Sequence, residues 1–407
     1  MSYVFPAKML EKYADVMIWA LAQARKGKTG KIKAAKYENV LVRFHEDAIP
    51  LVQLINRKLL EQRWNVVLRQ LPNPVFEKDY FTIADDKQLA SLTPGELELY
   101  ENLGGYIYIN APSSLTHLKD VPPGQMSKAS IAMRKLWDIR NRREDKGLFS
   151  WTLCTYPTEE LARQAGLSLE KYAEQIAKAC LLSEKDPVAR WTEVYKESHE
   201  IRDWMSSLPI DTIHMESRSM DITIKQGERR SYKGCSGHNV PSFEIFTSPD
   251  WRGTSGVYFA DQKSFRNGNI AEGIRLEFKN GRAVKINAKK GEAFVKATLG
   301  MDEGACQIGE FSLTDRRFSK IDRFMANTLF DENFGGKFGN SHIAVGSSYA
   351  DTFDGDPSKL TPEMKKKLGF NNSALHWDLV NTEDKVVTAT LKNGRKQVIY
   401  EHGEFKY

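Results

Sequence analysis

Helical and extended periodicities alternate along the first half of the chain. From Glu11, apolar residues recur at Tyr13, Val16, Met17 and Ala20, the three-and-four spacing of an amphipathic helix. A basic link, RKGKTGKIKAAK, leads to ENVLVRFH, which reads as a buried strand. The spacing predicts a helix over 49–62 and a second strand in WNVVLRQ. The pair repeats with PGELELYENL before GGYIYINAP, and with SIAMRKLWDIRNRRED before FSWTLCTYP. Further helices are expected over 158–165, 169–182 and 188–206. Strand and helix in this rhythm predict an open α/β domain with a largely parallel sheet. In the basic helix over 134–146, Met133, Leu136 and Trp137 form the expected buried stripe, with the charges on a solvated face.

After residue 205 the pattern changes to a period of two. TIHMESRSMDITIKQG alternates as half-buried strands do. Asn280-Gly281 and Asn393-Gly394 each stand between two such runs, a strong hairpin signal. Few helices are expected here, one over 318–329 and one over 362–368. The reading is an N-terminal α/β domain over 1–207 and a β-rich α+β catalytic domain over 208–407.

Composition narrows the function. At 407 residues the chain is too long for one ordinary core, and 41% hydrophobic content supports two. The net charge of +6 comes from 59 basic against 53 acidic residues. That balance describes a mixed-sign surface and not a nucleic-acid footprint. Cys154, Cys180, Cys235 and Cys306 lie far apart without a CxxC pair, which fits reduced thiols and a cytoplasmic protein. The N-terminal helix lacks the layout of a signal peptide, and no apolar run approaches the ~20 residues that span a bilayer. With no GxGxxG after the first strand and no GxxxxGK[ST], a dinucleotide or P-loop reading has no support.

The chemistry gathers in residues 308–378, with an outlier at Glu244. Glu310, Glu332, His342, Tyr349, His376 and Asp378 bring acids, imidazoles and a phenol among glycines and small residues. Carboxylates with histidines suit a divalent ion of borderline hardness, and more carboxylates than one zinc needs point to two ions. His376 and Asp378 are two apart, so on a strand both leave the same face. Glu244, between Phe243 and Ile245, is awkward to bury unless paired or metal-bound. The remaining histidines, His45, His117, His199, His214, His238 and His402, show no ligand spacing and read as structural.

NVPSFEIFTSPDWRGTSG, IGEFSLTD, TLFDEN followed by HIAVGSSY, and NNSALHWD resemble, in order, the motifs of the thermophilic metalloaminopeptidases of the aminopeptidase T and aminopeptidase S type. FSWTLCTYPTEELARQAGLSLEKYAEQIAKACLL and DPVARW resemble that family's N-terminal domain. The link FGGKFGNS, between the DEN acid and the histidine, is longer than in many members. The resemblance implies an exopeptidase acting on peptide substrates with two divalent ions (zinc, cobalt, magnesium or manganese), in a homodimer enclosing the active sites. It places Glu244, Glu310, His342, His376 and Asp378 as ligands and Glu332 as a further acid, a ligand or close neighbour. It assigns Tyr349 to the reaction centre. The chemistry makes Glu310 the first choice for the bridging or base-positioned carboxylate, and the charge balance and short apolar runs predict no nucleic-acid or membrane partner. Two rivals remain in other classes. A binuclear phosphoesterase uses similar ligands, with Arg316, Arg317 and Lys337 nearby as a clamp, and a metal-stabilised binding protein would keep the scaffold without turnover.

Overall fold

The computed structural model describes residues 5–29 and 36–407; the middle of the basic link, 30–35, lies outside the described residues. The chain forms two compact units: Met1–Thr192 with Ser236–Pro241 and Asn267–Asn269, and Glu193–Cys235 with Ser242–Arg266 and Ile270–Tyr407.

The first unit carries α1 (Ala7–Thr29), β1 (Asn39–Phe44), α2 (Ile49–Glu61), β2 (Asn65–Gln70) and the short helices α3 (Pro74–Ile83), α4 (Asp86–Leu89) and α5 (Glu96–Glu101). It continues through β3 (Leu103–Asn110), α6 (Pro123–Asp145), β4 (Ser150–Thr155), α7 (Glu159–Ala165), α8 (Leu169–Ala179) and the start of α9 (Pro187–Ser207). The strands pair in parallel in the order β2-β1-β3-β4. Helices cover both faces, as a parallel sheet requires. Leu41 and Tyr106 pack with Leu136 and Ile139 of α6, while a Cβ added to Gly105 would stand 3.3 Å from Leu21 of α1.

One detail of α6 departs from expectation. Trp137 is exposed, and the buried positions are Leu136 and Ile139, with Met133 packed beside them. Arg140 lies on this face too, its guanidinium 4.7 Å from the Tyr106 ring centroid and within 6 Å of the Phe149 and Trp151 rings. A guanidinium is attracted to aromatic faces, so Arg140 lies over these rings while Trp137 faces solvent.

The second unit is antiparallel. β5 (Ile210–Ser217) and β6 (Asp221–Lys225) start its large sheet; β7 (Asn239–Val240) returns to the first unit as a parallel neighbour of β4. β8 (Glu244–Thr247), β9 (Asp250–Ala260), the β10–β11 ribbon (Ser264–Arg266 and Asn269–Ala271), β12 (Ile274–Lys279) and β13 (Arg282–Asn287) follow. Then come α10 (Glu292–Leu299), β14 (Ile308–Thr314), α11 (Thr328–Asp331), β15 (Asn340–Gly346), α12 (Pro362–Leu368), β16 (His376–Asn381), β17 (Lys385–Leu391), β18 (Lys396–Glu401) and β19 (Glu404–Phe405). Eight strands form one sheet, β13-β12-β9-β6-β5-β17-β18-β19, and four form another, β16-β15-β14-β8. Asn280 and Gly281 both take positive φ in the β12–β13 hairpin, as a tight two-residue turn demands.

Ile213, Ile222 and Leu276 of the large sheet share one core with Phe311, Leu313, Ile343, Val345 and Leu379 of the small one. Tyr258, fully buried on β9, crosses between the sheets and donates to the carbonyls of Leu379 (2.7 Å) and Ser341 (3.2 Å).

The helix expected over 318–329 is a correction: only Thr328–Asp331 is helical. Polar side chains there bond the backbone instead of leaving it to a helix. Asp331 accepts from the amides of Met325 (2.7 Å) and Asn327 (2.9 Å), and Ser319 Oγ from that of Ile321 (3.3 Å). Because the fully buried Tyr258 hydroxyl bonds backbone carbonyls of the small sheet, Tyr258→Phe should lower stability by about 1–3 kcal/mol in urea unfolding.

Candidate metal centre

The small sheet sorts its side chains by alternation. Ile245, Phe311, Leu313, Ile343, Val345, Trp377 and Leu379 point into the core. The alternate residues point the other way: Glu244 and Phe246 on β8, Glu310 and Ser312 on β14, His342 and Ala344 on β15, His376 and Asp378 on β16. Cross-strand register completes the arrangement. Ala344 lies opposite both Glu310 and Asp378, and Ser312 lies opposite both His342 and Phe246. Two small residues thus separate the large donors and leave room between them.

The donors converge. His342 Nε2 lies 3.2 Å from Glu244 Oε2 and 3.2 Å from Glu310 Oε1. His376 Nε2 lies 3.3 Å from Asp378 Oδ1 and 3.6 Å from Glu310 Oε2. Two triads result, Glu244–Glu310–His342 and Glu310–His376–Asp378, and they share Glu310. Donors on one tetrahedral ion at ~2.1 Å stand about 3.4 Å apart, so this spacing fits a divalent cation in each triad. Glu332 is buried, outside both triads but within the field of their carboxylates. Tyr349 flanks the second triad, its ring centroid 4.7 Å from that of His376, and is 45% exposed.

The electrostatics follow from four acids crowded in a dry place. Burial, then Glu244, pushes the Glu310 carboxyl up to about 7, against the pull of the two imidazoles. Burial raises Glu332 well above the carboxylate range, with Glu244 and Asp378 adding to it. For the imidazoles burial works the other way and is outweighed. Glu244 and Glu310 raise His342, and Asp378 and Glu310 bring His376 to about 9. Asp378 falls to about 2 because His376 overcomes the effect of burial.

Several supporting residues escape a reading of the sequence. Ser312 donates to Glu244 Oε2 at 3.2 Å; its only signal is its place two residues after Glu310. Asn333 accepts from the amide of Phe243, next to Glu244, at 2.6 Å. Arg266 donates to the carbonyl of His376 at 2.9 Å, and its charge helps hold Asp378 low. The imidazoles are not oriented by the nearby asparagines. His376 Nδ1 pairs with the carbonyl of Ser347 at 2.9 Å, and His342 Nδ1 is buried without a hydrogen-bond partner among the described residues. Asn371 instead ties the carbonyls of Gly304 (2.8 Å) and Gly346 (2.5 Å), and Asn340 those of Glu332 and Phe334. Gly309 does admit a close neighbour, the backbone of Gly346 and Ser347; an added Cβ would collide with their carbonyl oxygens.

Comparison with known proteins gives the family. The family model described as thermophilic metalloprotease (M29) matches residues 7–405. The chain belongs to the M29 metalloprotease family. Among relatives, it is 32% identical over 246 residues to aminopeptidase AmpS of Bacillus subtilis, a match spanning 58% of either chain and so less than two thirds of that relative. It is 27% identical over 306 residues to aminopeptidase T of Thermus aquaticus, covering 71% of this chain and 73% of that one. Wild-type AmpT from Thermus thermophilus has a similar fold, with a TM-score of 0.79 at 22% identity over 97% of this chain and 99% of the other. M29 membership makes a divalent-metal hydrolase of this chain. Among the described residues no helix is long and apolar enough to cross a membrane.

A cation entering the metal-free site displaces protons from Glu310, Glu332 and the two imidazoles. Their raised pKa values mean they hold those protons up to neutral pH or beyond. Affinity for zinc should therefore rise as pH passes from about 7 to about 9, with proton release seen by calorimetry in buffers of different ionisation enthalpy.

Proposed function

We propose that this protein is an aminopeptidase that removes N-terminal residues from short peptides, using two divalent ions (zinc, cobalt, magnesium or manganese). The observation that carries the reading is the pair of donor triads meeting on Glu310. Glu244, His342 and Glu310 would hold one ion, and Glu310, His376 and Asp378 the other. Glu332 is the further acid of the set. When bound, such ions polarise the scissile carbonyl and make a nucleophile of water at neutral pH. Relatives named aminopeptidases support the reaction class.

The chain's own residues supply the remainder. Glu310 presents one carboxylate oxygen to each triad, the position of a bridge between them. Tyr349, beside His376 and open to solvent, donates from its hydroxyl to the oxyanion that forms when the carbonyl is attacked. The Ser347 carbonyl anchors His376 through Nδ1, which fixes the ring and leaves Nε2 for the ion. The basic residues that would favour a phosphoester are engaged elsewhere. Arg316 pairs with Glu404 at 2.7 Å, Arg317 pairs with Asp315 through both carboxylate oxygens, and the Lys337 ammonium lies over the Phe338 ring. We assign the chemistry to a catalytic domain over 208–407, in a cytoplasmic homodimer.

A matched pair of peptides, one with a free amine and one acetylated, tests the reading. Only the free peptide should be cut, with activity lost to chelator and restored by zinc or cobalt; cleavage of both would remove the exopeptidase assignment. Glu310→Gln should reduce turnover to background while leaving the circular dichroism unchanged. Tyr349→Phe should lower kcat by about 100–1000-fold. Light scattering should give twice the 46.3 kDa chain mass, and a monomer mass would remove the dimer.

A further inference from the structure

Tyr349 presents a physical problem. A hydroxyl that meets substrate must be reachable, and this residue is nearly half exposed. Its ring neighbours are Phe246, edge-on at 5.9 Å, and His376 at 4.7 Å. Packing around an open ring cannot fix a phenol the way a core does. Its place must be set largely through its backbone.

That backbone is held at both ends of the residue. The Tyr349 amide donates to Ser248 Oγ at 2.9 Å, and the Tyr349 carbonyl accepts from Thr352 Oγ at 2.8 Å across the 3-10 turn Ala350–Thr352. Ser248 and Thr352 are both fully buried. Ser248 follows the end of β8, four residues after Glu244, so one strand delivers both a carboxylate of the first triad and the anchor of the phenol. The anchor is itself braced. Arg230, buried, donates to the carbonyls of Ser248 (2.5 Å), Glu228 (2.7 Å) and Leu368 (2.8 Å), with its guanidinium 3.5 Å from the Phe370 ring centroid. The Ser231 amide donates to the Thr352 carbonyl at 2.8 Å. Two buried hydroxyls thus hold the backbone of one exposed residue, and buried Arg230 braces one of them.

We propose that Ser248 and Thr352 are positioning residues for catalysis, which act by fixing the Tyr349 backbone so that its hydroxyl is aimed at the reacting carbonyl. The proposal rests on the role given to Tyr349 above. A small misplacement of a catalytic group costs rate far more than it costs binding.

The test is a double-mutant cycle on the metal-loaded enzyme, read with an amino-acid anilide whose amine is free. Ser248→Ala should lower kcat by about 10–100-fold with KM changed less than about two-fold and bound metal unchanged. Combined with Tyr349→Phe, it should add little, because the group it positions is gone. Thr352→Val, equal in size and lacking the hydroxyl, should behave in the same way and carries the test alone if Ser248→Ala does not fold. An equal loss whether or not Tyr349→Phe is present, or an unchanged kcat in the single variants, would overturn the proposal. A Tyr349→Phe enzyme as fast as the parent would overturn the role of Tyr349 first and the proposal with it, an outcome distinct from additivity.

Discussion

Glu310 is 3% exposed and shared between two imidazoles, and the rest of the second unit is arranged around that fact. A buried carboxylate is costly, and Glu244 and Glu332 close by make it costlier. The imidazoles return part of that cost, since each carries more positive charge here than in water. Four acids against two imidazoles balance only while Glu310 and Glu332 keep protons that a bound cation would displace. Such a site is unfavourable as a fold element and favourable as a seat for cations. The stability it lacks has to come from elsewhere, and the apolar face of the same four strands, packed on the large sheet, is where it comes from.

How far the sequence discloses this depends on whether the information is local. His376 and Asp378 sit two apart on a strand, so their shared face follows from the backbone period alone. Glu310 and Ser312, and Glu244 and Phe246, obey the same rule. Nothing local says that Ala344 stands opposite both Glu310 and Asp378, because register is fixed by strands far apart in the chain. The ordered motifs supply that through family resemblance and not through periodicity. The parallel sheet of the first unit is legible for the opposite reason: its strands and helices alternate along the chain, so neighbours in sequence are neighbours in space.

The misreadings share a cause. Residues 318–329 have the apolar spacing of a helix, yet Asp331 and Ser319 reach back to the backbone and hold it open. Trp137 has the hydrophobicity of a core residue, yet Arg140 takes the aromatic face of the sheet. Arg316 and Arg317 are near the site in sequence, and their partners Glu404 and Asp315 take them out of it. Each case turns on one polar side chain finding a particular partner, and hydropathy patterns do not carry partners. The DEN tripeptide shows the same in a favourable sense. Asp331 ties the preceding loop, Glu332 enters the acid set, and Asn333 holds the strand that bears Glu244.

The site therefore has two kinds of rigidity. The donors on the sheet are held by strand pairing and by the core beneath, so their spacing is a property of the fold. Tyr349 lies beyond the end of β15, past Gly346, whose positive φ of 105° turns the chain out of the strand; an added Cβ there would strike the Leu375 carbonyl. Leaving the sheet exposes the phenol, which a residue meeting substrate requires. It also gives up the ladder that would have held it, and buried hydroxyls on the Tyr349 amide and carbonyl take over that task. Access and fixed position conflict in any one side chain, and here they are divided between the ring and the backbone of a single residue.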